Sequence, residues 1–212
     1  MDWLNRIERK MGKCYISNLM KYLCIAMLGV FILDYLPLPR SAWQLLYFNK
    51  ALILRGEIWR LVTFIFLPPT GSLIWILFSL YFYYFLGTSL ENHWGSRRFN
   101  LYYLIGILGS IIGGMITGYA TNSYLNMSLL LAFAVLYPDM EFTLFFVLPV
   151  KVKWIGWFWG AVLLYELAVY PVIYKLALIF SMLPFLLFFG KDVYLQIKLG
   201  IRHLTYWINT RK

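Results

Sequence analysis

Long apolar runs, divided by short basic or proline-containing stretches, dominate the chain. The first runs from about Leu19 to Leu36 and stops at Pro37 and Pro39. The next two are about Ser72 to Leu90 and Phe99 to Tyr119, then comes a shorter one, Asn126 to Tyr137, closed by Pro138-Asp139. Two more follow, Trp154 to Tyr170 and Val172 to Gly190. A spanning helix needs roughly 20 apolar residues, so the pattern predicts an all-α membrane protein, a six-helix bundle with a short, central fourth helix. Neighbouring helices must bury that fourth helix, because unpaired backbone cannot stay in lipid. Its N-terminal end is expected to open into a water-filled dip. Between the runs, Arg40 to Arg60 is too polar to span and reads as an interfacial segment. Glu91 to Arg98 reads as a polar loop. Glu141 to Val150 is apolar but is broken off by Pro149, Lys151 and Lys153, so it reads as a loop lying against the membrane.

Composition supports this reading. Hydrophobic residues make up 62% of the 212 and charged residues only 13%, where soluble domains average about 45–50% and about 25%. One membrane domain over 1–212 is expected, with a basic N-terminus over 1–18 and a basic tail over 191–212. Orientation follows from the loop bias of Lys and Arg. With both ends in the cytoplasm, fourteen of the 19 cations lie inside. The net charge of +10 is then a fringe facing anionic lipid, spread too thinly over short segments to hold nucleic acid. Trp59, Trp94, Trp154, Trp157, Trp159 and Trp207 fall near span ends and predict an interfacial aromatic belt. Cys14 and Cys24 show no pairing or metal spacing, and no metal or cofactor is expected. The polar, basic start has no signal-peptide pattern, and a bacterial cytoplasmic membrane is the expected location.

The third run carries two ladders of small residues, Gly109 with Gly113, and Ser110 with Gly114 and Gly118. Small residues four apart let helix backbones approach closely in lipid, so this helix is expected at the centre of the bundle. Ser128, Ala132 and Ala134 on the fourth run, and Ala177 and Ser181 on the sixth, are the matching small positions.

Several of these residues form a recognisable set. Gly56-Glu57-Ile58-Trp59-Arg60-Leu61-Val62-Thr63 stands before the second helix. Gly87, Leu90-Glu91 and Trp94-Gly95-Ser96-Arg97-Arg98-Phe99 follow. Together with the short helix after a Gly-rich one, they resemble the rhomboid superfamily of intramembrane serine proteases and its inactive relatives over about residues 50 to 190. The Trp-Arg pair is expected to anchor its loop at headgroup level through Trp59. Arg60 is expected to fork onto backbone carbonyls or Glu57.

The resemblance implies a serine at the start of the fourth helix in a Gly-x-Ser-Gly motif and a histidine base on the sixth. Asn126-Met127-Ser128-Leu129 stands at that motif. Ser128 matches the nucleophile, while Asn126 and Leu129 replace the glycines. A serine nucleophile needs a base within hydrogen-bond reach. The chain has two histidines, His93 and His203, both predicted on the cytoplasmic side, across the core from Ser128. No histidine lies between Val172 and Gly190. At the positions of the family's oxyanion helpers on the second helix stand Trp75, expected to fill the cavity, and Ser79. Lys175 is the alternative base on the side of Ser128, and Glu166 and Asp34 are further polar groups near the membrane. The expectation is a rhomboid-like pseudoprotease that binds transmembrane segments of client proteins, as Derlin-like relatives do. The alternative is an active intramembrane serine protease with Ser128 and an unusual base. A transporter would need paired broken helices and midplane charges, which the sequence lacks.

Overall fold

The computed structural model describes residues 15–36, 41–144, 148–190 and 193. Cys14, His203, Trp207 and both basic terminal segments lie wholly or largely outside the described residues. The helices are α1 (Leu19–Asp34), α2 (Ala42–Leu46), α3 (Lys50–Leu54), α4 (Arg60–Thr63), α5 (Leu73–Trp94), α6 (Ser96–Thr117), α7 (Ser123–Leu136), α8 (Val152–Val169), α9 (Val172–Ser181) and α10 (Leu183–Gly190). A 3-10 turn covers Phe64–Phe66, and two strands, β1 (Glu141–Leu144) and β2 (Leu148–Lys151), precede α8.

Apolar runs become helices because lipid offers no partner for a peptide group, so each segment must pair its own. Among the described residues, α5, α6 and α8 are long and apolar enough to cross a membrane, and α9 with α10 adds a fourth if the bent pair is one span. The helix α1 has 16 residues and α7 has 14, or about 21 Å for the latter at 1.5 Å per residue. The pair α9/α10 is bent by 59° around Met182. Pro184, one turn beyond Phe180, has no N–H to give the Phe180 carbonyl, which is a standard cause of a kink.

Two junctions set the ends of the bundle. Gly95 alone separates α5 from α6, so the expected polar loop over Glu91 to Arg98 is instead two helix ends around one glycine. Its φ of 82° and ψ of 153° belong to a region essentially closed to other residues. A Cβ would meet nothing there, so conformation, not space, demands glycine. Gly95→Ala is expected to cost about 1–3 kcal/mol, read as a lowered thermal midpoint in detergent. Gly118 (φ 91°) ends α6 at the opposite end. Tyr35 Oη bonds the Gly71 carbonyl at 3.1 Å, and Asn18 N–H bonds Glu91 at 2.8 Å, so α1 runs antiparallel to α5. Asp34 is exposed and accepts the Ser41 hydroxyl at 2.5 Å at the start of α2.

The glycine ladder of α6 does what its spacing predicts. A Cβ on Gly109 would lie 2.0 Å from the Phe180 carbonyl oxygen, and one on Gly113 would lie 2.9 Å from Ala177 Cα. Ser110 and Ser181 hydroxyls meet at 3.3 Å. The second ladder divides: Gly114 receives the Phe48 ring and Ala120, while Gly118 caps the helix. Half of the α6 span is buried, against 28% of α5 and 11% of α8, which puts α6 at the centre of the three.

The segment expected to be interfacial folds into the short helices α2 and α3. Two further expectations are corrected. The segment expected to be a loop over Glu141 to Val150 is an antiparallel hairpin that pairs Glu141 with Lys151 and Phe142 with Val150. Its Phe142 ring sits 5.5 Å from Phe82 and Phe85, so burial of one aromatic overrides the strand-breaking tendency of Pro149. Trp94 does not join an interfacial belt, because it packs at 5.3–5.7 Å against Tyr102, Phe188 and Phe189. Trp59, Trp154 and Trp157 are exposed.

Candidate functional site

The helix α7 begins at Ser123, three residues before its expected start, because Asn122 leaves the polar turn and turns inward. Its amide donates to the carbonyls of Ile65 and Leu67 at 3.1 and 2.9 Å. Ser128 therefore lies in the second turn, not at a helix mouth, and is 0% exposed. Its hydroxyl donates to the Leu125 carbonyl at 2.7 Å, the local back-bond that serine makes inside helices. Tyr102 Oη donates to the Ser128 carbonyl at 3.0 Å. The neighbouring Leu129 is fully buried, filling the place of the second motif glycine. Asn126 is 2% exposed.

Among the described residues, neither candidate base, Lys175 nor His93, reaches Ser128. Lys175 Nζ is used on the Ala168 carbonyl at 3.3 Å, at the C-terminus of α8. His93 lies in the last turn of α5 with Nδ1 3.2 Å from Tyr137 Oη. Tyr137 is nine residues beyond Ser128, an axial separation of about 14 Å at 1.5 Å per residue. That is shorter than the full hydrocarbon core expected between them, yet far outside hydrogen-bond reach. Trp75 is 54% exposed and fills no cavity. Its ring meets Phe78 edge-on on the outer face of α5. Ser79 is half-buried on that helix. Glu166 is half-buried near Tyr124, with its Oε2 shielded.

The Trp-Arg motif builds a clamp instead of a catalytic group. The five-residue helix α2 ends with backbone carbonyls that no helical N–H can reach. Arg60 donates through Nη1 to the Gln44 and Tyr47 carbonyls, both at 2.9 Å. Trp59 Nε1 donates to Leu45 at 3.2 Å, and Thr63 Oγ1 to Leu46 at 2.9 Å. Four successive carbonyls thus receive three side chains of one helical turn. Arg60 Nε pairs with Glu57 at 2.6 Å, and its guanidinium lies 5.0 Å over the Tyr47 ring. Arg60 is 3% exposed, so the charge is held by its fork and by Glu57.

A second node stands at the Gly95 end. Glu91, 7% exposed, accepts the Asn18 N–H and the Ser96 hydroxyl at 2.8 and 2.5 Å. It therefore joins the starts of α1 and α6 to the end of α5. The Arg97 guanidinium stacks on Tyr15 at 5.4 Å, and Arg98 is half-buried in the same turn. Asn100 pairs with the Ile16 backbone in both directions, at 3.0 and 2.8 Å. Nearby, Lys153 hydrogen-bonds Asp139 at 3.1 Å. That bond and the lysine charge hold the exposed carboxyl below its ordinary range.

The sequence pattern does not single out Asn100, Asn122 or Tyr102, and it carries Thr63 only as the last residue of the Trp-Arg motif. Thr63 stands one helical turn after Arg60 and Asn100 one turn after Ser96, so helical spacing from a known motif residue was the available signal.

A bundle of apolar helices around a buried short helix, with its polar side chains spent on tying helix ends and an interfacial segment, defines an integral membrane protein. The sequence matches the Rhomboid domain over residues 55–168, more than half of the chain, and the protein belongs to the rhomboid family. A comparison with characterised proteins finds no match.

Proposed function

We propose that this rhomboid-family chain is a pseudoprotease, a six-helix bundle with both termini in the cytoplasm that binds transmembrane segments of other proteins without cutting them. The observation that carries the reading is the Ser128 hydroxyl. It is fully buried and donates its hydrogen to the Leu125 carbonyl of its own helix. A nucleophile gives that hydrogen to a base, and none of the described candidates is in reach. The absence of histidine from Val172 to Gly190 and the bulk of Leu129 at a motif glycine support the same reading. In the six-helix topology α1 and α7 are the short members, and the bent pair α9/α10 is one span.

Client binding has a different physical basis from the one the small-residue ladders suggest. Gly109, Gly113 and Gly114 face Phe180, Ala177 and Phe48 and are consumed inside the bundle. A free surface lies on α8. A cavity of about 500 Å³ runs between α8 and α7, α9 and α10, lined by Leu131, Gly156, Gly160, Leu164, Ile179 and Met182 among others. Gly160 has nothing within 4 Å of a Cβ, so another helix can approach its backbone closely.

A fluorophosphonate probe tests the catalytic half. Neither the wild type nor Ser128→Ala is expected to label, in detergent or liposomes, with folding verified independently. Labelling that Ser128→Ala abolishes, together with cleavage of a single-span reporter, would establish a protease. For the binding half, a photoreactive residue at Gly160 is expected to crosslink transmembrane partners, and one at the buried Gly113 is not.

A further inference from the structure

Four side chains that the proposed function does not use lie near one another inside the bundle, one from each of α1, α5, α6 and α7. Asn126 is 2% exposed, and neither its Oδ1 nor its Nδ2 has a hydrogen-bond partner. Tyr103 is 1% exposed, and its hydroxyl has none either. The Tyr83 hydroxyl lies beside the Asn126 amide without completing a hydrogen bond, and it neighbours Tyr103 and Cys24. Cys24 has its own partner, the Leu80 carbonyl at 3.5 Å.

An amide and a phenol held in an apolar interior with nothing to bond are costly, and native interiors rarely tolerate such a set. Helix carbonyls do accept side chains elsewhere in the bundle, as Leu80 does from Cys24 and Ser128 from Tyr102, but none takes the Asn126 amide or the Tyr103 hydroxyl. Whatever completes the cluster must both donate, to Oδ1, and accept, from Nδ2. It must be small, because Asn126 and Tyr103 are almost wholly buried. It must also be neutral, because none of the four side chains carries a formal charge to balance an ion. Water meets all these conditions and needs two to four polar partners. We propose that Asn126, Tyr103 and Tyr83 bind about one or two water molecules in the middle of the bundle, joining α7 to α5 and α6 through hydrogen bonds that the side chains do not make directly. The site stands apart from the question of catalysis, because Ser128 bonds into its own helix whether or not the cluster is hydrated.

The experiment is nuclear magnetic resonance of the full chain in nanodiscs, with the Asn126 side-chain amide assigned by its loss in Asn126→Leu. Cross-peaks from water to that amide are expected in the wild type and weakened in Tyr103→Phe. A wild-type amide with no water contact overturns the proposal, and this outcome needs no variant beyond the assignment. Thermal unfolding gives an independent reading. Asn126→Leu and Tyr103→Phe are each expected to lower the midpoint, and the double variant to fall by less than the two shifts added together, because removing both groups leaves no orphan. A Tyr103→Phe midpoint above that of the wild type, with additive shifts, would mean that the hydroxyl bonds nothing in the native protein.

Discussion

Arg60→Ala is expected to detach the segment 41–67 from the bundle and to lower stability by roughly 3–5 kcal/mol. Truncation removes both hydrogen bonds to the part-buried Gln44 and Tyr47 carbonyls, and each orphaned acceptor costs about 1–2 kcal/mol, the lower part of the range for buried groups. It also strands Glu57, which is 30% exposed, so solvent offsets part of the charge penalty. The stack on Tyr47 is lost as well. In a chain of this size roughly 2–4 °C of melting temperature correspond to each kcal/mol, so a fall of about 10 °C in detergent is expected, with proteolysis appearing first between 41 and 67. Arg60→Lys should fall between, because an ammonium keeps the charge but cannot fork to two carbonyls while pairing with Glu57. Trp59→Phe is the control. It removes one half-exposed hydrogen bond to Leu45, about 1 kcal/mol or less. An unchanged midpoint in Arg60→Ala would mean that water satisfies these carbonyls and that the motif does not hold the segment.

Gly109→Ala is expected to force α9 away from α6. Alanine gains about 1 kcal/mol of helix propensity over glycine. Against that, its Cβ would sit 2.0 Å from the Phe180 carbonyl oxygen. The obstacle is backbone, at the bend that ends with Pro184, so no side chain can swing aside. Overpacking costs about 1–3 kcal/mol even where neighbours relax, and here the helices must separate, breaking the contact of Gly113 with Ala177 and the Ser110–Ser181 hydrogen bond. A net loss of about 2 kcal/mol or more is expected, read as a lower midpoint and as loss of the disulfide crosslink between Ser110→Cys and Ser181→Cys. Gly160→Ala, with nothing within 4 Å, should be neutral or slightly stabilising. If Gly109→Ala matched Gly160→Ala, the close approach of α6 and α9 would not hold the bundle together.

The contrast between these glycines shows how far a sequence can be read. A ladder of small residues announces a close helix contact, because close approach is the main thing such spacing is for in lipid. It does not announce the partner. Gly156 and Gly160 on α8 have the same spacing as Gly109 and Gly113. One pair meets a neighbouring backbone, while Gly160 faces open space. The Trp-Arg motif was legible as a loop anchor, since an arginine next to an interfacial tryptophan has few other uses. That its targets are successive carbonyls of one short helix was not legible, because α2 has only five residues and no periodicity long enough to reveal it.

What the sequence by itself determined is the environment and the chemistry at hand. Long apolar runs must be helices in a bilayer, and the residue types at the family positions, Ser128 without a histidine from Val172 to Gly190, restrict what the site can do. Those properties depend on composition and local order. Tertiary structure alone decided that Ser128 points its hydroxyl into its own helix, that Trp75 faces outward, that Glu91 to Arg98 closes on a single glycine, and that Asn126, Tyr83, Tyr103 and Cys24 lie near one another. The outward face of Trp75 and the cluster around Asn126 depend on which faces of separate helices are pressed together, while the Ser128 bond and the Gly95 junction depend on where the helices start and stop. Lipid is as apolar as the core, so hydropathy distinguishes the membrane from water but not the inside of the bundle from its outside.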